Sequence, residues 1–372
     1  MDAPEVFEHI ATHFDEALPF VAYRKPNEKD LKVFLQEDDT LNTTTDYDES
    51  GFVFAPFDTA FAEAILIPDT TAITVSLSEL SFENGEPHHT HSNPADQQRH
   101  IALVKNGISY IKKSGVKKIV LSRKQTINHA YEHPIAIFKR LLHAYPTAFA
   151  YCWYHPKVGL WLGATPETLL SISNRKFHTM ALAGTQPYKD TLSVSWGTKE
   201  IQEQQFVTDA IVQNLKPILS DIKVTPAQTH RAGSLLHLKT DISAPFKSTE
   251  TSLKTIIEAL HPTPAVCGLP RSEAKDFILK NEVYERNYYT GFLGELNLQV
   301  TRKRSTHRRN MENLAYGSIQ KESHLFVNLR CMEIDAKGAQ IYVGGGITEQ
   351  SNPEAEWQET VDKLSTMLRV LG

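Results

Sequence analysis

The chain has 372 residues, 41% of them hydrophobic, and a formal net charge of −5 at pH 7. It is long enough to bury a large core. The acidic balance excludes a general nucleic-acid binder and leaves Lys303, Arg304, Arg308 and Arg309 as only a local basic patch.

No apolar run reaches membrane-spanning length, and Met1 to Glu5 carries neither a basic region nor an apolar one of a signal peptide. Cys152, Cys267 and Cys331 are odd in number and widely spaced in apolar surroundings, the pattern of buried free thiols. A reducing compartment, the cytoplasm, is expected, with no membrane and no nucleic-acid partner.

Val6 to Leu18 has the spacing of an amphipathic helix. Phe20 to Tyr23, Lys32 to Gln36, Gly51 to Phe57 and Ala72 to Leu80 read as strands. The tract Pro87-His88-His89-Thr90-His91 has no further ligand spaced for a metal and reads as a solvated loop. Asn93-Pro94 marks a helix start, with Asn as N-cap and Pro at the first position; Ile101, Val104, Ile108 and Ile111 form its buried stripe. The β-branched run Ile119 to Leu121 predicts a buried strand. Lys118, entering it, either snorkels outward or is held inside for chemistry.

A helix from Ile135 to Ala144 precedes a hairpin of Ala148–Tyr154 with Leu160–Leu162. Thr165-Pro166-Glu167 carries the signs of a helix N-terminus: a cap, a proline and a first-turn acid. A strand from Phe177 to Leu182 runs into Ala183-Gly184-Thr185. Ile201, Val207, Ile211, Val212 and Leu215 then mark a helix on which Glu200 and Glu203 share a face. His237 sits in a strand-like run where a satisfied core histidine is the default. His261 to Gly268 is a proline-set turn, Ser272 caps a helix to about Leu279, and a strand region starts near Tyr288. Residues 302–323 are polar, basic and aperiodic, as in a long exposed hairpin tip.

The last thirty residues hold the densest chemistry. A short strand Ile341 to Val343 runs into Gly344-Gly345-Gly346, a polar turn and a helix from Pro353 to Leu364. Three glycines permit φ > 0 or a close backbone approach. Glu356, Glu359 and Lys363 share one helix face. Two E-x-x-E helices facing each other offer four carboxylates, a hard-oxygen set suited to Mg²⁺; with no His or Cys nearby, zinc fits less well. The fingerprint G-x-G-x-x-G is absent. With no repeat and no linker, one α+β unit is expected, residues 1–93 forming its variable part and 94–372 the catalytic region.

Taken together, the motifs Lys118-Ile119-Val120-Leu121-Ser122-Arg123, Gly163-Ala164-Thr165-Pro166-Glu167, Leu182-Ala183-Gly184-Thr185, His261-Pro262-Thr263-Pro264-Ala265, Leu329-Arg330-Cys331 and Gly344-Gly345-Gly346 with Glu356-Trp357-Gln358-Glu359-Thr360 resemble the chorismate-utilising enzymes over roughly residues 95–372. Within that family the resemblance is to the members that isomerise chorismate to isochorismate. It implies an α+β fold with a large two-layer antiparallel β core, helices packed outside, and a site between the layers. It further implies a monomer with Mg²⁺ bound directly by Glu203 and Glu359 and through water by Glu200 and Glu356.

On the same resemblance, chorismate is the substrate. Arg330, Tyr289 and Gly344 to Gly346 hold its enolpyruvyl carboxylate, Lys363 lies near the metal and carboxylate, His237 near the ring, and Gly184, Thr185 and Ala265 also bind the substrate. Water adds at one ring carbon and the hydroxyl two carbons away leaves, so a base and an acid are needed on opposite sides. Lys118 is the candidate base and Glu167 the candidate acid; both must be neutral, the form burial favours. Anthranilate and aminodeoxychorismate synthases typically carry Gln at the position of Lys118, and the latter Lys at that of Ala183. Salicylate synthases share nearly all the site residues and stand as the alternative, with a non-catalytic chorismate-binding relative a more distant one.

Overall fold

The structure is a computed structural model describing residues 1–78, 93–128, 132–247, 251–302 and 318–371. The histidine tract 87–91 and most of the 302–323 insert lie outside the described residues; of the insert, Ser318 onward continues as strand.

Two antiparallel sheets lie face to face. The first runs in the order Gly268–Leu269, Lys118–Ile127, Gly338–Ile347, Cys331–Asp335, Gly159–Thr165, Phe149–His155, Phe20–Arg24, Asp30–Leu35, Ala72–Ser76. The second runs Lys223–Val224, Leu235–Pro245, Lys176–Pro187, Thr168–Ser173, Ser318–Val327, Phe292–Arg302, Gly51–Ala55, Ala64–Pro68, Thr43–Thr44; Gln228–Ala232 also pairs with Leu235–Pro245. N-terminal strands extend both layers: Phe20–Arg24 pairs with Phe149–His155, and Gly51–Ala55 with Phe292–Arg302.

The alternation of the strands explains the layers. Inward-facing positions are largely aromatic: Tyr23, Phe149, Trp153, Trp161 and Tyr342 from one sheet meet Phe52, Phe54 and Phe326 from the other. Phe149 stacks on Phe326 at 4.2 Å between centroids, and Phe54 meets Trp153 at 4.5 Å with the rings tilted by 34°. Such pairs each add roughly 0.5–1.5 kcal/mol beyond the area they bury.

Helices cover the outer faces. α1 (Ala3–Asp15), α2 (Pro94–Lys113), α3 (Pro134–Ala144), α4 (Thr198–Leu215), α5 (Leu253–Leu260), α6 (Arg271–Asn281) and α7 (Pro353–Leu368) are those among the described residues. α1, α3 and α7 pack on the first sheet through Phe7, Phe138 and Leu364, and α4 and α5 on the second through Ile211 and Ile256. α2 starts where the Asn-Pro signal places it, Asn93 Oδ1 accepting from the Ala95 amide at 3.0 Å. Along Lys118–Ile127, Ile119 and Leu121 face α2 and α6. Val120 faces the opposite way, into a cavity between the layers.

Three sequence expectations change. Ser272 caps no helix: α6 starts at Arg271, with Pro270 at the N-cap position and no side-chain capping bond. Thr165-Pro166-Glu167 starts no helix: one strand ends at Thr165 and the next begins at Thr168, leaving Pro166 and Glu167 as the corner between them. There the Thr165 hydroxyl accepts from the Glu167 amide at 3.3 Å, the local bond that also caps helices. The glycine triplet is not a turn after a strand either. Gly344 to Gly346 lie inside the strand Gly338–Ile347, paired with Ser122, Leu121 and Val120, and none has positive φ.

Candidate active site

A cavity opens between the layers, with about 690 Å³ of empty space counted out to the solvent at its mouth. It is lined by Glu167, Gly184, Thr185, Glu203, His237, Ala265, Tyr289, Arg330, Gly344, Gly345, Gly346, Glu359 and Lys363. Lys118, Glu356 and Glu200 are not among its lining residues; Lys118 lies against Gly346 on the strand face that Val120 turns to the cavity, and Glu356 lies against Gly345 on the opposite face.

Each glycine makes room for a different group. A methyl on Gly346 would collide with Glu203 Oε1 and stand 2.8 Å from Lys118 Cε. On Gly345 it would lie 3.3 Å from Glu356 Oε2 and 3.5 Å from Glu359 Oε1, and on Gly344 3.0 Å from the Tyr289 hydroxyl. These glycines are needed for close approach, since their φ is ordinary. Without side chains the strand lets carboxylates from α4 and α7 reach across it.

Three of the four acids are each held by a lysine. Lys118 Nζ meets Glu203 Oε1 at 2.9 Å, both side chains nearly buried. Lys199 Nζ meets Glu356 Oε1 at 2.5 Å, tying α4 to α7. Lys363 Nζ donates to Glu359 Oε1 at 2.7 Å and to the Gly344 carbonyl at 2.8 Å. Glu200 turns back instead. Its Cβ packs on Gly184, and its carboxylate folds toward Gly197 at the α4 N-terminus, where the helix dipole favours negative charge.

Among the described residues, no three His, Cys, Asp or Glu side chains form a ready metal shell. The expected convergence of four carboxylates is not formed as a shell: Glu203 lies against Gly346, Glu356 and Glu359 lie against Gly345, and Glu200 turns away. The donor set still fits a hard cation. Glu356 Oε2 is buried without a hydrogen-bond partner and faces the same glycine as Glu359 Oε1. Burial and the neighbouring Glu359 charge push the Glu356 carboxyl up to about 7, against the pull of Lys199. Burial also raises Glu359, but Lys363 and Lys199 outweigh it and leave that carboxyl below its usual range.

Glu167 is buried at the strand corner, its carbonyl accepting from the Val327 amide at 2.9 Å. Burial pushes its carboxyl up to about 7 even though Lys118, Lys363 and Arg330 all pull it down. Lys118 opens the strand Lys118–Ile127 and is 1% exposed, so it is held inside rather than snorkelling outward.

Arg330 occupies the bend before Cys331–Asp335 with φ of 48°, a left-handed conformation costing an L-residue roughly 1–2 kcal/mol. Its Nη2 donates to His237 Nε2 at 3.0 Å. His237 Nδ1 in turn donates to the Gly184 carbonyl at 2.8 Å, and this network assigns the tautomer. Burial and the Arg330 charge lower His237 to about 3, so the ring is neutral. The Gly184 carbonyl is available because the pairing of Lys176–Pro187 with Leu235–Pro245 slips between Ala183 and Gln186, where Gly184 takes φ of 70°. Tyr289 stacks on Tyr342 at 5.3 Å, and burial raises its hydroxyl well above its usual value, keeping it a neutral donor.

Sequence reasoning missed Lys199 and the lining groups Val120, Leu182, Val266, Thr290 and Tyr342. Lys199 directly precedes the first E-x-x-E pair, the one signal that could have marked it.

The fold and this cavity define a class, and the chain belongs to the chorismate binding enzyme family: the family's pattern matches residues 59–301, and a second chorismate binding enzyme pattern matches 314–369. The isochorismate synthase DhbC of Bacillus subtilis is 26% identical over 342 residues, 85% of this chain and 79% of that protein. The vibriobactin-specific isochorismate synthase of Vibrio cholerae is 24% identical over 382 residues, covering 98% and 88%. Among solved structures, MenF, the menaquinone-specific isochorismate synthase of Escherichia coli, shares the fold with a TM-score of 0.76 at 21% identity, covering 100% of this chain and 92% of that one. The three free cysteines are all buried, and no described helix is long and apolar enough to cross a membrane.

Proposed function

We propose that this chain is an isochorismate synthase: a Mg²⁺-dependent, monomeric, cytoplasmic isomerase converting chorismate to isochorismate. The observation that carries the reading is one cavity lined by a buried carboxyl, Glu167, raised to about 7, and by Glu203, whose partner is the buried amine of Lys118 on the cavity face of its strand. An addition of water coupled to loss of a hydroxyl needs such a pair.

Lys118 takes a proton from water as its oxygen bonds to the ring carbon. The double bond shifts, and Glu167 gives its proton to the departing hydroxyl, which leaves as water. Arg330 and Tyr289 orient the enolpyruvyl carboxylate against the bare backbone of Gly344 to Gly346. His237, neutral, keeps Arg330 aimed through Nε2. Glu203, Glu356 and Glu359 would hold Mg²⁺, which would supply positive charge for the ring carboxylate.

Incubation with chorismate, with and without Mg²⁺, followed by chromatography tests the proposal. Isochorismate formed only with Mg²⁺ is the expected result. Salicylate and pyruvate would make the chain a salicylate synthase, and chorismate bound but unchanged would make it a non-catalytic binder.

A further inference from the structure

Arg123 closes the motif Lys118 to Arg123, yet it does not line the cavity. It projects from the opposite face of its strand from Val120 and is buried, at 8% exposure. Its guanidinium lies 4.3 Å from the centroid of the Trp357 ring. Its Nε donates to Thr360 Oγ1 at 2.8 Å, and that hydroxyl donates to the Trp357 carbonyl at 2.8 Å. Nη1 donates to Gln125 Oε1 at 2.7 Å, while Nη2 is buried without a partner. No ion pair reaches this guanidinium among the described residues; the Asp96 charge favours it only without contact, and a buried cation lacking a direct partner is costly. Retaining it for packing alone would be a poor use of the position.

The two α7 residues it grips each follow one of the acids, Trp357 after Glu356 and Thr360 after Glu359. Successive helical residues are rotated by about 100°. A clamp on the Trp357–Thr360 face therefore fixes the rotation of α7 about its axis, and with it the direction in which Glu356 and Glu359 cross Gly345. The planar fork stacks on the indole and donates at a fixed angle, which a flexible ammonium cannot do at once.

We infer that Arg123 is a positioning residue that holds α7 in rotational register through Trp357 and Thr360, so that Glu356 and Glu359 reach over Gly345 toward the cavity. The inference rests on the reading of those carboxylates as the Mg²⁺ donors. Groups bonded directly to metal ligands change metal affinity about 10–100-fold when lost, and Arg123, one residue further out, is set at the low end of that range.

The test uses the full chain with Arg123→Lys, Thr360→Val and Thr360→Ser. Calorimetric Mg²⁺ titration without substrate, thermal melting, and amide hydrogen exchange over residues 353–364 are measured on each. Arg123→Lys and Thr360→Val are expected to weaken Mg²⁺ binding about tenfold and to speed exchange in that segment about tenfold, with melting of the remaining chain little changed. Thr360→Ser, which keeps the acceptor, should behave as wild type. Wild-type exchange and Mg²⁺ affinity in both Arg123→Lys and Thr360→Val would overturn the inference. If the wild-type chain binds no Mg²⁺, the metal reading falls on its own, and exchange over 353–364 still decides whether Arg123 sets the register of α7.

Discussion

Lys118 Nζ and Glu203 Oε1 meet at 2.9 Å beside Gly346, joining the first residue of the strand Lys118–Ile127 to the N-terminal half of α4. The amine expected to activate water is thus the direct partner of a carboxylate expected to hold the cation. Both crowd the place a side chain on Gly346 would take, and Glu203 itself lines the cavity.

Lys118→Met leaves Glu203 buried without its ammonium. Removing one partner of such a pair costs roughly 3–5 kcal/mol. Urea unfolding should show that loss, and the double variant with Glu203→Gln should recover part of it. Equal stability of Lys118→Met and wild type would mean that the pair is not formed in solution.

Gly346→Ala sets a methyl against Glu203 Oε1 and Lys118 Cε, whereas Gly345→Ala meets Glu356 Oε2 at 3.3 Å, where a shift of a few tenths of an ångström suffices. Steady-state kinetics should find Gly346→Ala reduced by on the order of 10²-fold or more in kcat/KM, as for a displaced catalytic group. Gly345→Ala should retain far more activity. The reverse ranking would contradict the close-approach role given to the triplet.

How far the sequence reaches is visible in these same elements. The Asn93-Pro94 start, the strand from Ile119 and the one-face array Glu356, Glu359, Lys363 were legible because each depends on neighbours in sequence. The corner at Glu167 was misread because Thr-Pro-acid satisfies a local amide equally well at a helix start and between two strands. The strand Ala64–Pro68 was overlooked, a five-residue apolar run too short to show a period. The lysine pairing of Glu203 and Glu356 was invisible since it is set by how distant elements pack. Family resemblance, not spacing, assigned roles to Arg330, Tyr289 and His237.

Glu167 stands at about 7 by burial, against 4.5 for an ordinary glutamate. Between those values the folded chain keeps a proton that the unfolded chain has released. Its contribution is therefore full below about 4.5 and is lost as pH rises through about 7. The shift corresponds to roughly 3 kcal/mol. Glu167→Gln has no such loss, so in urea unfolding between about pH 5 and about pH 8 the variant should gain on wild type by on the order of 2–3 kcal/mol. Identical pH dependence of the two would show that the carboxyl is not raised. The acid role adds that wild-type turnover declines as pH passes about 7.

His237→Phe removes the acceptor of Arg330 Nη2 and the donor to the Gly184 carbonyl. A buried donor left unpaired costs roughly 1–3 kcal/mol. KM for chorismate should rise more than kcat falls, since the loss is in aiming a carboxylate-binding group. In wild type, nitrogen NMR should find His237 neutral, protonated on Nδ1, down to about pH 4. A ring charging near its ordinary value would contradict the network.

The most direct test of the central claim is turnover of chorismate in ¹⁸O-labelled water with Mg²⁺ present. If Lys118 activates solvent while Glu167 expels the original hydroxyl, isochorismate carries one ¹⁸O per turnover in its ring hydroxyl, and Lys118→Gln forms almost no labelled product. Isochorismate without label, or equal labelling and rate in Lys118→Gln, would contradict it.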